Sequence, residues 1–112
     1  MTPSAADDAG LRVEVSHAAR ITVLTVTGEI DADSMVALQA PLSELSLESH
    51  IVLDMSGVRF MDSSGLKVIL EQRIRMTEPG GSIHIRHSSS AVQRVLEVSG
   101  LTHLLQEFDT PR

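Results

Sequence analysis

The sequence predicts an α/β fold in which a mixed β-sheet of about five strands carries helices packed mainly on one side. Three observations predict it: two apolar segments near the start that are joined by a short turn, a continuously apolar run at residues 51–53, and helical spacing of the apolar residues on both sides of that run. The resulting element order is β-β-α-β-α-β-α-β. Strands separated by one helix pair most readily in parallel, so the sheet should be antiparallel at first and parallel afterwards.

The opening strands are predicted from residues 11–26. Apolar and polar residues alternate over residues 11–16, a short turn follows at residues 18–20, and residues 21–26 read as a second strand. The sequence GEID at residues 28–31 ends this strand. An antiparallel pair is therefore expected.

The first helix is predicted from four apolar residues on one helical face: Met35, Leu38, Leu42 and Leu45. Its start can be capped by Asp31, Asp33 or Ser34. Pro41 falls inside this helix and lacks the amide that the backbone ladder needs. We expect a kink at Pro41 or a helix that begins near it.

The next strand is predicted over residues 50–55, and Ser56 starts a loop. The second helix should bury one face, which consists of Leu66, Ile69, Leu70 and Ile74. It stops at the breaker EPGG, residues 78–81.

A further strand is predicted over residues 82–86. A third helix follows, with Ser90 and Gln93 at capping-box spacing, and it ends at Gly100. A last strand is expected over residues 104–108.

Length and composition indicate one domain. The chain has 112 residues, 42% of them hydrophobic, so residues 10–112 should form a single domain after a disordered tail at residues 1–9. The net charge of −6 and the presence of only two aromatic residues argue against nucleic acid as a partner. The absence of cysteine excludes disulfides and thiolate chemistry. No secretory signal or membrane span is recognised, so a cytoplasmic location is expected.

The most informative segment is DSSG, residues 62–65. It lies between a strand-like run and a helix, where unpaired backbone N–H groups and the helix dipole favour an anion. One serine would suffice as a cap, and the second hydroxyl is surplus. The segment is therefore suited to a bound or covalently attached anion next to Asp62.

Enzyme chemistry is disfavoured by spacing. Ser63 is not in a Gly-x-Ser-x-Gly elbow, and Gly80-Gly81 lacks the lysine and the length of a phosphate-binding loop. His84 and His87 are three residues apart near a strand, which sends their side chains to opposite faces. We therefore expect no catalysis, no cofactor and no metal.

Two motifs resemble one known family. The sequence LDMSGVRFMDSSGL at residues 53–66 resembles the signature of the STAS domain family, and more closely that of bacterial anti-sigma factor antagonists. GEID at residues 28–31 looks like the second motif of this family. The resemblance extends over roughly residues 11–108 in matching element order. It implies a STAS-like fold.

The resemblance also implies a function. In such antagonists the serine after the aspartate, here Ser63, is phosphorylated by a serine kinase that is also the anti-sigma factor. The unphosphorylated protein binds the kinase and frees a sigma factor for transcription in a stress response, the phosphorylated form is released, and a PP2C-type phosphatase reverses the mark. This partner switching implies a monomer or a weak dimer that binds its partner through six residues: Asp31, Asp62, Ser63, Ser64, Gly65 and Lys67.

Each of these residues also has a purely structural interpretation. Ser64 is expected to be the helix cap, and Gly65 to allow a close approach of the loop. Lys67 lies one turn after Ser63 and could contact a phosphate, although a solvated lysine explains it as well. Asp54 is expected to hold a loop through backbone N–H groups.

A rival function within the same resemblance is a regulatory or scaffold subunit of a stress-signalling complex or of a lipid or anion transporter. One departure from the family is also expected. The sequence after Phe108 has no residues for the additional C-terminal helix of many relatives, which should leave Leu104 and Leu105 more exposed.

Overall fold

The computed structural model describes residues 4–8 and 10–105, which build one five-stranded sheet and its covering helices. The elements in chain order are β1 (Ser4–Asp8), β2 (Leu11–Ala18), β3 (Ile21–Ile30), α1 (Val36–Ser43), β4 (His50–Met61), α2 (Ser63–Thr77), β5 (Ser82–Ser88), α3 (Ser90–Ser99) and a 3₁₀ helix (Thr102–Leu105). The strands lie side by side in the order β1-β2-β3-β4-β5. Pairs β1/β2 and β2/β3 are antiparallel, and β3/β4 and β4/β5 are parallel, which confirms the mixed sheet.

The antiparallel pair β2/β3 is confirmed. Val13 lies opposite Val26 and Val15 opposite Leu24, so the apolar residues of the two strands face the same side. Ala19 has a φ of 55°, which is the left-handed conformation at the tight turn between the strands. The alternation in the sequence therefore specifies both the pairing and its register.

Strand β1 corrects the prediction of a disordered tail at residues 1–9. The backbone of Ser4–Asp8 pairs with β2, with Ser4 opposite Val15 and Asp8 opposite Leu11. The segment SAADD has no apolar alternation, but pairing along a free strand edge uses backbone groups that every residue carries. Composition alone therefore could not find this strand. Residues 1–3 and 9 lie outside the described residues.

One hydrophobic cluster lies between the sheet and the helices. Leu24, Leu53 and Ile85 come from one face of the sheet, and all three helices add side chains to the same cluster. The helical contributions are Leu38 and Leu42 from α1, Leu66 and Ile69 from α2, and Val92 and Leu96 from α3. Helices on one side of the sheet are thus confirmed. Each large side chain buried here stabilises the fold by roughly 1.5–3 kcal/mol.

Strand β4 is longer than predicted, because it continues to Met61 rather than ending near residue 55. Its pairing with β3 continues through two register shifts, one between Thr25 and Thr27 and one between Gly28 and Glu29. At each shift β4 contains an extra residue, as in a β-bulge. Turn-forming residues such as Ser56 therefore mark a bulge within the strand and not its end.

Helix α1 begins at Val36, so the alternative of a start near Pro41 is wrong. Pro41 is the sixth residue of this eight-residue helix. The Glu44 amide bonds the Pro41 carbonyl at 3.3 Å, the closer spacing that ends many helices. Helix α1 therefore ends two residues after the proline.

Helix α2 buries a different set of side chains from the one predicted. Leu66 and Ile69 are buried as expected, but Ile74 is 73% exposed. Gln72, a polar residue, is only 1% exposed. The second half of α2 thus presents an apolar side chain outward.

The C-terminal part differs from the sequence prediction in three details. The N-cap of α3 is Ser89, whose Oγ accepts from the Val92 amide at 3.2 Å, one residue before the predicted Ser90. Gly100 ends the helix with a φ of 73°, as expected. Leu104 belongs to the 3₁₀ helix and is fully buried, so neither the predicted strand nor the predicted exposure holds there. The rest of the predicted strand, residues 106–108, lies outside the described residues.

Candidate functional site

Strands β3 and β4 end together at one edge of the sheet. Ile30 pairs with Met61, and the Asp62 amide donates to the Ile30 carbonyl at 3.1 Å. Asp31 and Asp62 follow these two strand ends, so the structure brings them to the same edge. Loops at the carboxyl ends of parallel strands are frequent binding sites.

Asp31 and Ser34 organise the loop between β3 and α1. Asp31 Oδ1 accepts from the backbone amides of Asp33 and Ser34 at 3.0 and 2.9 Å. The fully buried Ser34 donates its hydroxyl proton to the Glu29 carbonyl at 2.7 Å and accepts from the Asp31 amide at 2.9 Å. The N-cap position itself is Met35, which has no side-chain cap, so these bonds stabilise the turn before α1 and not its first residue.

These hydrogen bonds also perturb one carboxyl group. The Ser34 backbone amide is the main cause that lowers the pKa of Asp31 below 3.8, and the Ser34 side chain and the Asp33 amide lower it further. The two backbone amides donate to the carboxylate and so favour its charged form. The loop therefore holds a fixed negative charge at this edge of the sheet.

The start of α2 corrects the expected capping role of Ser64. Asp62 is the N-cap, with extended backbone angles, and its Oδ1 accepts from the Ser64 amide at 2.8 Å. Ser63 is the first residue of the helix. The cap is thus a carboxylate that precedes both serines, and neither hydroxyl is needed for it.

The two serines differ in exposure. Ser63 is exposed and Ser64 is half-buried. Neither hydroxyl bonds another residue within the described ranges 4–8 and 10–105. Ser63 is thus the more accessible of the two surplus hydroxyls.

Gly65 is buried where α2 approaches the sheet. A Cβ atom there would lie 2.6 Å from Ile30 Cγ2 and 3.0 Å from Met61 Cγ. Real Cβ atoms do not approach other atoms so closely, so only glycine fits without a shift. The predicted close approach exists, and its cause is packing within the protein.

Lys67 is exposed on α2, one turn after Ser63. No ion pair involves its ammonium group among the residues that the structure describes. Asp54, in contrast, has the structural role expected of it: Oδ1 accepts from the Ser56 amide at 3.2 Å and from the Ser56 hydroxyl at 2.8 Å.

The sequence reasoning missed Phe60 and its neighbours. Phe60 precedes Met61 and is 49% exposed, although it is one of only two aromatic residues. Beside it, Arg59 and Glu29 form an exposed ion pair at 3.7 Å. The sequence prediction ended this strand near residue 55. A strand extended to Met61 would have placed Phe60 at the strand end, two residues before Asp62, and so would have indicated this apolar surface. Exposed aromatic residues are frequent anchors of protein interfaces.

Other kinds of site are not found in the described part of the chain. Between residues 4 and 105, leaving out residue 9, no three His, Asp or Glu side chains are grouped so as to hold a metal ion. In the same residues no helix is long and apolar enough to cross a membrane.

Comparison with known proteins identifies the family. A family model described as "Mlab, STAS domain" matches residues 9–106. The chain belongs to the STAS domain family. A relative from Paenibacillus polymyxa named anti-sigma F factor antagonist is 29% identical over 102 residues, which cover 88% of this STAS chain and 87% of the relative.

Solved structures show the same STAS fold. The anti-sigma factor antagonist SpoIIAA in its unphosphorylated form matches with a TM-score of 0.73 and 22% identity, over 84% of this chain and 85% of that one. The Bacillus cell fate determinant SpoIIAA in the phosphorylated form matches with a TM-score of 0.67 and 21% identity, over 84% and 88% of the two chains. At these identities the likeness concerns the fold. The predicted STAS-like architecture is confirmed.

Proposed function

We propose that this STAS protein is an anti-sigma factor antagonist that is switched by phosphorylation of Ser63. In the unphosphorylated state it binds an anti-sigma factor serine kinase through the surface around Ser63 and so releases a sigma factor. Phosphorylation by that kinase ends the complex, and a PP2C-type phosphatase restores it. The likeness to named antagonists, one of which has a phosphorylated and an unphosphorylated form, supports this proposal.

The observation that carries the proposal is the exposed, unbonded hydroxyl of Ser63 at the first position of α2. A kinase must reach the hydroxyl and detach its proton, which is simplest where no protein group bonds it. Ser64 is less suitable, because it is half-buried and its amide is tied to Asp62 at 2.8 Å. The structure of the cap thus favours Ser63 over its neighbour.

The fold can tolerate a phosphate on Ser63. The first turn of α2 contains no acidic residue and offers backbone N–H groups and the positive end of the helix dipole. A phosphate of about −1.5 to −2 charges placed there can accept from these groups. The charge therefore does not need to unfold the helix to act.

A phosphate on Ser63 should weaken partner binding even though the fold tolerates it. Asp31, Asp33 and Asp62 already place carboxylates at the edge where β3 and β4 end, and Ser63 directly follows Asp62 there. A phosphate adds to this negative surface, and like charges that meet across an interface cost several kcal/mol. Since each ~1.4 kcal/mol changes the affinity tenfold, one phosphate is sufficient to dissociate a micromolar complex.

Phosphate mapping tests the proposal directly. The protein is incubated with ATP and candidate anti-sigma factor kinases, and phosphopeptides are located by mass spectrometry. We expect label on Ser63 and none in Ser63→Ala. Ser90→Ala is the matched control, because Ser90 is the exposed first residue of α3. Label on Ser64 in place of Ser63, or no label from a kinase that binds the protein, contradicts the proposal.

In this proposal the protein is a substrate and a binding module, not a catalyst. The relatives named as antagonists are regulators, which agrees with that role. An esterase or nucleotidase activity that disappears in Ser63→Ala would make Ser63 a nucleophile and would overturn the proposal. Assays with chromogenic esters and with nucleoside triphosphates, in the absence of any kinase, distinguish the two.

A further inference from the structure

A groove lies between α1 and the second half of α2, in a part of the molecule that the proposed switch does not use. Its volume is about 590 Å³. The apolar lining comes from both helices and consists of Val36, Ala40, Leu42, Val68 and Ile74. Two of these side chains are unusually exposed, Val36 at 50% and Ile74 at 73%. The groove is therefore an open apolar surface between the two helices.

A buried polar side chain also lines this groove. Gln72 is 1% exposed, and its Nε2 is buried without a hydrogen-bond acceptor among the described residues. Its Oε1 accepts from the guanidinium of Arg75, which also lines the groove and is exposed. A buried amide donor without an acceptor lowers stability, so such groups are rare unless something binds them. Gln72 thus marks a place for a hydrogen-bond acceptor.

The size of the groove indicates what kind of molecule fits. Pockets for small molecules have volumes of about 300–1,000 Å³, a range that includes this one. The groove therefore has the volume of a small-ligand site.

The charges in the lining indicate the chemistry of that ligand. Glu71 and Arg75 are four residues apart on α2 and carry opposite charges, so the lining of the groove has no net charge. Arg75 is exposed, and its guanidinium donates to the side-chain carbonyl oxygen of Gln72. Apolar walls together with one buried donor that is unpaired within the described residues suit an apolar body that ends in one acceptor.

We propose that the groove binds a small apolar molecule that ends in a carbonyl or carboxylate group, with the acceptor oxygen on Gln72 Nε2, which the ligand reaches when the exposed Arg75 side chain moves aside. The apolar body lies between Ala40 of α1 and Ile74 of α2. This site is separate from Ser63 and does not depend on the proposed antagonist function.

Titration with three molecules of the same shape tests the site and separates the two head groups. Cyclohexanone, cyclohexanecarboxylate and cyclohexane are added to the ¹⁵N-labelled protein, and amide resonances are followed by NMR. We expect the side-chain NH₂ signal of Gln72 to shift with the first two. Cyclohexane lacks the acceptor, so the ratio of the cyclohexanone affinity to the cyclohexane affinity reports the hydrogen bond to Gln72 and should fall about tenfold when the donor is removed. A preference for the carboxylate over the ketone would identify an acid as the ligand class.

Two variants make the test specific. Gln72→Leu keeps the volume but removes the donor, so it should weaken cyclohexanone relative to cyclohexane by about tenfold. Gln93→Leu, on the exposed side of α3, is the matched control and should leave all affinities unchanged. Ala40→Phe fills the groove from its exposed rim and should abolish binding of all three molecules.

Several results would overturn the proposal. They are an unchanged ratio of the cyclohexanone and cyclohexane affinities in Gln72→Leu, shifts confined to residues outside the groove, or no binding of any probe. Sedimentation at several concentrations tests the other occupant: a dimer that Ala40→Phe dissociates would assign the groove to a second copy. Spectra of the free variants confirm that each one is folded.

Discussion

Helices α2 and α3 begin in nearly the same way, yet only one of these starts has the surroundings of a regulatory site. Each helix has a side-chain N-cap, Asp62 for α2 and Ser89 for α3, and each then opens with an exposed serine. By local structure Ser63 and Ser90 are equivalent. The differences lie in what surrounds them.

The start of α2 is joined to a second loop, whereas the start of α3 is not joined in this way. The Asp62 amide bonds the end of β3 at 3.1 Å, which places the acidic turn that begins at Asp31 beside Ser63, and Phe60 adds an exposed aromatic surface. The Ser89 amide bonds Met55 in the middle of β4 at 3.3 Å. An exposed serine at a helix start is common. It becomes a candidate site through the charged and apolar groups that the sheet brings to it.

The largest expected difference between the two helix starts concerns partner affinity. Ser63→Asp should weaken binding to the anti-sigma factor kinase by roughly 100-fold, or about 2.7 kcal/mol, because the added carboxylate joins those of Asp31 and Asp62 at the interface. Ser90→Asp adds the same charge at the same helical position and should change the affinity less than about twofold. Ser63→Ala should bind constitutively. Isothermal titration calorimetry in the absence of ATP measures all three.

That comparison fails if the two aspartate variants bind alike. Equal affinities would mean that net charge, and not the position of Ser63, governs the complex. Far-UV circular dichroism of each variant shows that the helix is intact, since an acidic side chain at either helix start favours the dipole.

The third residue of each helix gives the next largest contrast. In α3 this residue is Val92, which is fully buried in the core, whereas in α2 it is Gly65. Alanine normally stabilises a helix relative to glycine by up to ~1 kcal/mol. Gly65→Ala should instead destabilise the protein by about 1–3 kcal/mol, because its Cβ would lie 2.6 Å from Ile30 Cγ2.

Urea unfolding of Gly65→Ala measures that effect. The companion variant Ile30→Ala removes the contacted methyl group, so the double variant should lose less stability than the sum of the two single variants. A stabilised Gly65→Ala would show that the loop moves aside easily and that close packing does not require the glycine.

The two caps differ in charge, and that difference can be separated from their structural effect. Asp62→Ala and Ser89→Ala should each lower the free energy of unfolding by about 1 kcal/mol, because each frees one backbone amide. Asp62→Asn keeps an acceptor and should stay within about 0.5 kcal/mol of the wild type. Reduced phosphorylation of Ser63 in Asp62→Asn, with stability retained, would then assign the carboxylate to kinase recognition. Unchanged phosphorylation would leave Asp62 with its capping role alone.

The order of strands and helices could be predicted because it depends on local patterns. The alternation over residues 11–16 and the apolar run at residues 51–53 specify strands that the structure contains. The cap of α2 could not be assigned, because three adjacent residues offered an oxygen and the end of β4 was placed at Met55 in place of Met61. Pairing with β3 across two bulges sets that end, and a single strand's sequence does not contain its partner.

The exposure of Ile74 has a similar cause. Its spacing from Leu70 is that of one helical face, but α1 ends at Ser43 and leaves the groove beside Ile74 open. Periodicity reports which side of a helix is apolar, not whether another element covers it. The burial of Gln72 in the same helix went unpredicted for the same reason.

The smallest expected effect is on the pH dependence of stability. It concerns the acidic loop at Asp31, which lies beside the start of α2 and has no counterpart in the cap of α3. The pKa of Asp31 is lowered chiefly by the Ser34 amide, so folding favours the carboxylate. Its contribution to stability is complete above the ordinary pKa of 3.8 and is lost as the pH falls through the lower pKa of the folded state. Asp31→Asn should therefore be less stable than the wild type near neutral pH, and the difference should shrink in acid.

Asp33→Asn is the control, because the Asp33 carboxylate accepts no hydrogen bond from the described residues. The cap of α3, Ser89, is uncharged and should contribute no such pH dependence. Urea unfolding at about pH 7 and about pH 3 measures the difference, and a constant gap between wild type and Asp31→Asn would show that the loop does not depend on the charge of Asp31.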